Sequence, residues 1–318
     1  MKYFKNLLMI LGVVFIATLF INAVQTIKIE KDVEDVVNVV DSILARKSKD
    51  YNVYALDLPE NLSFAGEKVP VDDPDVYERM DRELLVNTYW QSNGLLLIKR
   101  ANKYFPIIEP ILKENGIPDD FKYLAVIESG LLNAVSPARA TGFWQIMKQT
   151  GIEYGLEVND NVDERYNLEK STITACKYLK KSKERLGSWT LAAAAYNAGQ
   201  AGINRQMESQ GVNDYYNILL GEETGRYVFR ILAIKEILSN PKKYGFNFDE
   251  DHLYKHIPSH KIEVDSAIAD FTEFSKQHGI NYKILKLHNP WLREPFLNNS
   301  SRKKYYIEIP EKGYYNLN

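Results

Sequence analysis

The chain has 318 residues, of which 45% are hydrophobic and 26% charged, enough for one large core or two modest ones. A net charge of -2 offers no basic surface for nucleic acid. The single cysteine, Cys176, excludes an intrachain disulfide and a cysteine-based zinc cluster.

The chain opens with Lys2 and Lys5 ahead of a long apolar run at 7–24. This is the pattern of a targeting segment, either a signal peptide or an N-terminal membrane anchor over 1–25. The run lies close to the length of about 20 residues that a spanning helix needs. The two lysines favour a cytoplasmic start and an uncleaved anchor. Everything beyond about residue 26 is then exported, and the expected location is the bacterial cell envelope or periplasm. Residues 26–74 read as a polar tether, with one short helix around 31–46 and prolines at 59, 70 and 74.

From Asp75 to about Lys243, apolar residues recur at spacings of three and four. Helices are expected near 75–92, 95–103, 106–115, 118–129, 171–186, 189–197 and 222–239, with breaks at Gly, Pro, Asn or Asp. The expected fold is therefore mainly α, with an all-α domain over 75–246. The remainder, 247–318, changes character. HKIEVDS (260–266) and KKYYIEIP (303–310) alternate as strands do, with two helical stretches, 267–279 and 281–289, between them. That β-α-α-β order marks a small C-terminal module. The five histidines all lie in this last quarter. His252, His256 and His260 would share a helix face, but Pro258 argues against a helix there, so no metal site is expected.

Within the helical block, Pro118 starts a helix at a position where a missing N–H costs nothing. Phe121, Leu124 and Ala125 form an apolar stripe that Glu128 continues into the last turn. A carboxylate there meets both burial and the negative end of the helix dipole, which disfavour its charged form. Such a group suits acid catalysis, and it equally suits a buried glutamate paired with an arginine. In SPARATGFWQIM (136–147), Trp144 and Gln145 stand together as a stacking face and an amide, the two contacts that recognise N-acetyl sugars, though by itself the segment reads as an ordinary hydrophobic turn. AAAAYNAGQAGI (192–203) is a close-packing helix that ends at Asn197 before Gly199, and EETGRYVFRILAI (222–234) carries Tyr227 on a helix.

Together these segments resemble the soluble-lytic-transglycosylase-like enzymes, which have a goose-type lysozyme-like fold, and most closely the membrane-bound lytic murein transglycosylase D type. The likeness runs from about Trp90 to Phe246 and includes ESGLLNAVSPARATGFWQIM, VDERYNLEKST, WTLAAAAYNAGQAGI and ETGRYVFRILA in order. Two positions depart from the familiar pattern: Arg139 stands at a glycine or alanine, and Lys148 at a frequent proline. The resemblance implies a peptidoglycan-cleaving enzyme without metal or cofactor, acting on glycan strands as a monomer. It implies Glu128 as sole acid and base, with Tyr227 hydrogen-bonded to it. Ser129 would help to position the glycan or the glutamate, and Gln145, Met147, Tyr196 and Asn197 would lie at the substrate. Asp163 and Arg165 would form a structural ion pair. Asp160, Asp163 and Glu164 are the nearest candidates for a second catalytic carboxylate, which a hydrolysing glycosidase would need. The C-terminal module resembles a degenerate LysM repeat, carried by its element order and by LKLHNPWL (285–292), and would hold N-acetylglucosamine-containing glycan.

Overall fold

The computed structural model describes residues 53–315, with Thr18 before them. The expected targeting run at 7–24 and the helix around 31–46 lie outside the described residues. Among the described residues, no helix is long and apolar enough to cross a membrane. The chain separates into Met1–Tyr54 and Ala55–Asn318, and the account below concerns the second unit.

Residues 55–74 were expected to belong to the tether. Instead the stretch folds onto the core through two short antiparallel strands, β1 (Ser63–Phe64) and β2 (Glu67–Lys68). Leu62, Phe64 and Val69 are buried, and the Phe64 ring meets Phe121 edge-on at 5.1 Å. Glu67 accepts from the backbone N–H groups of Trp189 (2.7 Å) and Thr190 (2.9 Å), at the start of a later helix. Three apolar residues in so short a stretch leave no periodic trace, which is why the composition suggests a spacer.

Helix α1 (Pro74–Tyr89) starts with Asp73 accepting from the N–H groups of Asp75 and Val76, and with proline at its first position. The expected pair 95–103 and 106–115 is one helix, α2 (Gln91–Glu114), which runs through Pro106 and Pro110. Both prolines face solvent, where water can satisfy the carbonyls they release, while Ile108 and Leu112 are fully buried. A turn at Asp119–Phe121 leads into α3 (Lys122–Ser129), which Gly130 ends in the left-handed conformation. Next come α4 (Lys148–Glu153), α5 (Leu168–Leu186), α6 (Trp189–Ala198), α7 (Gln200–Gln210) and α8 (Glu222–Ser239). The sequence reading missed α4 and α7. Each buries almost nothing, Gly151 in one and Ile203 in the other, so neither shows an apolar face.

The centre of the core is α6, whose residues Leu191 to Ala195 are completely buried. Small side chains let α5, α7 and α8 all pack on it. Helix α8 also packs on α1 and α3. One helix therefore touches both the end of α3 and the body of α6, and this juxtaposition forms the site.

The C-terminal module has the expected order: β3 (Ser259–Val264), α9 (Phe271–Gln277), α10 (Tyr282–His288), β4 (Tyr305–Pro310). The strands are antiparallel, from Ser259 opposite Pro310 to Val264 opposite Tyr305. It has its own apolar cluster, including Phe271, Leu285, Trp291, Leu292 and Ile307. Val162, from a loop of the helical block, is part of that cluster. Around it, the Asp163 N–H donates to the Trp291 carbonyl (2.9 Å) and the Arg293 N–H to the Asn161 carbonyl (2.9 Å). Glu157 accepts from Lys303 Nζ (2.5 Å) and the Tyr305 hydroxyl (2.9 Å). The module is fastened to the helical block by apolar burial as well as polar contacts.

Leu292 is completely buried in this cluster and pairs with Val162. Leu292→Ala is expected to lower stability by about 2–5 kcal/mol. Urea melts of the full chain check this, and a loss below about 1 kcal/mol would mean that the joint is loosely packed.

Candidate active site

Four segments converge here: the end of α3, the 131–147 loop, the end of α6 and the first half of α8. Glu128 lies in the last turn of α3, as its spacing predicted. The residue keeps some surface toward solvent, but its carboxyl group is closely surrounded by protein. Tyr227, 2% exposed on α8, donates its hydroxyl hydrogen to Glu128 Oε1. Burial pushes the Glu128 pKa above the usual carboxylate range, and the nearby Glu223 charge adds to the rise. The Tyr227 hydroxyl and the Arg230 charge act in the opposite direction, and burial outweighs them. Burial, together with the Glu128 charge, holds the Tyr227 pKa well above its ordinary value, so this hydroxyl stays a donor.

Ser129, the next residue, does not reach the glutamate. Its hydroxyl donates to the Phe143 carbonyl (2.8 Å) and accepts from the Leu132 N–H (3.3 Å). It ties the 131–147 loop to the end of α3. The loop has little regular structure and is held by side chains. Gly142 has φ +85, and a Cβ there would lie 2.1 Å from the Arg165 carbonyl, so glycine is required on both grounds. Gln145, with φ +47, donates Nε2 to the carbonyls of Ala134 (3.0 Å) and Gly142 (2.8 Å). Its amide nitrogen is therefore committed to the loop, and Oε1 is the end left for a ligand. Met147 is 45% exposed at the start of α4.

Of the two readings of Trp144, a sugar-stacking face or part of a hydrophobic turn, the structure has the second. Trp144 is completely buried, with Nε1 donating to Thr172 Oγ1 at 2.8 Å. An indole with both faces packed in the core cannot stack on a sugar. Its backbone carbonyl does serve the site, accepting from the Tyr196 hydroxyl at 2.7 Å. Tyr196 is half-buried, with its pKa held high by burial and by the Glu128 charge.

Asn197 has both ends of its amide engaged. Oδ1 accepts from the Thr224 hydroxyl (2.7 Å) and Nδ2 donates to Glu223 (3.2 Å). Glu223, Thr224 and Arg230 were all missed as site residues. The usable signal was spacing, since 223 and 230 stand four before and three after Tyr227 on one helix face.

The ion pair expected between Asp163 and Arg165 is present, with Nε at 3.0 Å and Nη2 at 2.8 Å from the two carboxylate oxygens. Arg165 Nη1 also donates to the carbonyls of Arg139 (3.1 Å) and Ile146 (3.2 Å), which brackets the loop around Gln145. Glu164 is buried and meets Lys170 and the N–H of Glu157. Asp160 is exposed. Asp163 and Glu164 are thus occupied in structural pairs. The two departures from the familiar pattern also have local reasons. Arg139 has φ +68, a conformation that glycine adopts more easily, and Lys148 is the first residue of α4, where proline fits.

Residues 105–219 match the family model of the transglycosylase SLT domain. Residues 260–313 match that of the soluble lytic transglycosylase C-terminal LysM-like domain. The chain carries an SLT transglycosylase domain and a LysM-like module. The membrane-bound lytic murein transglycosylase D of Escherichia coli K12 is 26% identical to it over 259 residues, covering 79% of this chain and 55% of that protein. The protein of the same description from Escherichia coli O6:H1 matches to the same extent. The chain thus spans about half the length of the curated relatives it matches.

Because the carboxyl of Glu128 is harder to ionise in the folded chain than in the unfolded one, the folded state binds the extra proton as pH rises past the ordinary glutamate range, near 4.3. Stability is therefore lost as pH climbs from that value toward the raised one. Glu128→Gln keeps the acceptor for Tyr227 without the charge. It is expected to melt at a higher temperature than wild type at pH 7, with the difference vanishing below about pH 4. Thermal melts at both pH values check this, and a variant less stable at pH 7 would contradict the raised pKa.

Proposed function

We propose that the chain is a peptidoglycan lytic transglycosylase. It would cleave the β-1,4 bond between N-acetylmuramic acid and N-acetylglucosamine and leave a 1,6-anhydromuramoyl end. The observation that carries this reading is the closely surrounded carboxyl of Glu128, with its raised pKa, in the stretch that matches the SLT domain, held by the buried Tyr227 from the helix that follows that stretch.

Protonated Glu128 donates to the glycosidic oxygen as the bond to the muramoyl carbon breaks. Positive charge develops at that carbon and is met by the acetamido oxygen of the same sugar. Glu128, now a carboxylate, takes the proton from the 6-hydroxyl of that sugar. The hydroxyl oxygen closes the 1,6-anhydro ring, and no water is consumed. An ordinary retaining or inverting glycosidase needs a second carboxylate for nucleophile or base. Here the nucleophile belongs to the substrate. The carboxylate that Glu128 senses, Glu223, is hydrogen-bonded to Asn197 instead.

Tyr227 keeps the carboxyl oriented through both proton transfers. Asn197 and the free end of Gln145 meet the acetamido groups, with Tyr196 and Met147 flanking the strand. Ser129 acts at one remove, by fixing the loop that carries Gln145. The LysM-like module would bind N-acetylglucosamine-containing glycan, and the likeness to a membrane-bound murein transglycosylase supports work at the cell envelope.

Glu128→Gln is expected to lower turnover by about 10²–10⁴-fold. Tyr227→Phe removes a hydrogen bond to an ionisable group and should lower kcat about 10- to 100-fold while changing KM little. Steady-state rates on purified cell walls check both, and a Tyr227→Phe enzyme with wild-type kcat would remove Tyr227 from the reaction.

Product mass decides the reaction class. Mass spectrometry of the digest should find muropeptides one water lighter than their reducing counterparts. A purely reducing product set would make the chain a hydrolase on the same fold.

A further inference from the structure

Where the C-terminal module meets the helical block, a cavity of about 390 Å³ lies between α2, the start of α5 and the module. That volume is within the range of ligand sites, and the catalytic scheme makes no use of it. Lys103 and Tyr104 come from α2, Glu169 from α5, and His256, Lys261 and Glu308 from the module side.

The charges in this cavity are sorted by sign. Glu308 is half-buried, and the charges it feels are those of Glu169 and Lys261. Lys261 is itself spoken for, its Nζ 2.5 Å from Glu169. This pole has two carboxylates and one cation. At the other pole, burial and the charges of Lys103 and His256 disfavour protonation of His288, whose Nε2 meets the Tyr315 hydroxyl at 2.9 Å. Neither Lys103 nor His256 has a carboxylate within 4.0 Å among the described residues. Part of the remaining wall is aromatic, with Tyr104 and Phe143 edge-on at 4.8 Å and Trp291 also lining the cavity, and part is aliphatic or amide, including Ile107, Leu287 and Asn133.

A ligand that satisfies both poles must carry an amine and a carboxylate on a short, partly apolar frame. An N-acetylglucosamine glycan has neither charge, and a muramoyl strand without its peptide has lactyl carboxylates but no amine, so neither satisfies both poles. The peptide attached to each muramoyl unit has free carboxylates and, through its diamino acid, a free amine. We propose that this cavity binds the peptide stem of peptidoglycan, with the amine toward Glu308 and Glu169 and a carboxylate toward Lys103 and His256. The proposal rests on the reading of peptidoglycan as substrate. It gives the chain a reason to discriminate between peptide-bearing and stripped strands, and it makes the junction, rather than the module alone, the second recognition site.

The test titrates two probes into the full chain by calorimetry: the free tetrapeptide stem with a diamino acid at its third position, and glycan strands stripped of peptide by an amidase. The stem is expected to bind, and Glu308→Gln and Lys103→Met should each weaken it about fivefold or more. Glu128→Gln should bind the stem as wild type does. Both cavity variants should bind and cleave stripped strands as wild type does, and matched melting temperatures establish that they are folded. The assignment is overturned if the free stem does not bind, if both variants bind it unchanged, or if they weaken stripped-glycan binding as much as stem binding. Cell-wall cleavage without stem binding would sink the cavity proposal alone. Stem binding by a chain that cleaves no cell wall would uphold it and sink the transglycosylase reading.

Discussion

The Arg165 guanidinium is the fastening on which the site depends. It lies almost buried, with both carboxylate oxygens of Asp163 on one edge and the carbonyls of Arg139 and Ile146 on another. The two loops it joins have little helix or sheet to satisfy their backbone groups. Buried carbonyls without partners would cost several kcal/mol between them, on the order of 1–3 each. A planar cation with five fixed donors answers that need in a way a lysine could not. Removing Asp163 alone would leave the cation uncompensated, which typically costs about 3–5 kcal/mol. The pair earns its place by geometry, since two loops can be gripped at once only from a point between them.

Around that fastening, the arrangement of the candidate site follows from helix packing. Helix α6 is narrow because its side chains are alanines, so α8 can approach it and still reach α3. Tyr227 then arrives at Glu128 from the side of α8, while Asn197 meets Glu223 and Thr224 where α6 ends. The carboxyl is made a better acid by being surrounded, and the tyrosine keeps it from turning away. These two effects act in opposite directions on the pKa, and burial wins.

How much of this was legible in the sequence depends on what each residue reports. The place of Glu128 in the last turn of its helix was legible because helical spacing sets where a side chain points, whereas the pairing of Tyr227 with it came only from the family resemblance. The β-α-α-β module was legible because strand alternation contrasts with the helices before it. Trp144 stayed open between two readings because an aromatic beside an amide looks the same whether its ring faces a sugar or the core. Residues 62–69 were misread as tether because a few buried side chains in a short hairpin have no period. The gap expected before Pro106 is absent from α2, because on the solvent side a long helix tolerates that proline and Pro110 alike. Glu223 and Arg230 were overlooked because their importance lies in contacts to other segments, which spacing alone does not name.

The joint between module and helical block changes what the module can do for catalysis. A binding module on a flexible linker raises local substrate concentration and leaves direction free. Here Val162 sits in the module's apolar cluster, and the next residue, Asp163, bonds both the Trp291 carbonyl and Arg165. A continuous set of contacts therefore runs from the module to the loop that carries Gln145. Under the proposed function, a strand held by the module would meet Glu128 at one angle and one distance, so the fixed geometry would either suit the spacing of the substrate or forbid productive binding. Rigid fastening thus trades reach for register. That trade is favourable when the substrate is itself a stiff polymer with a regular repeat, because one correct register recurs along its length.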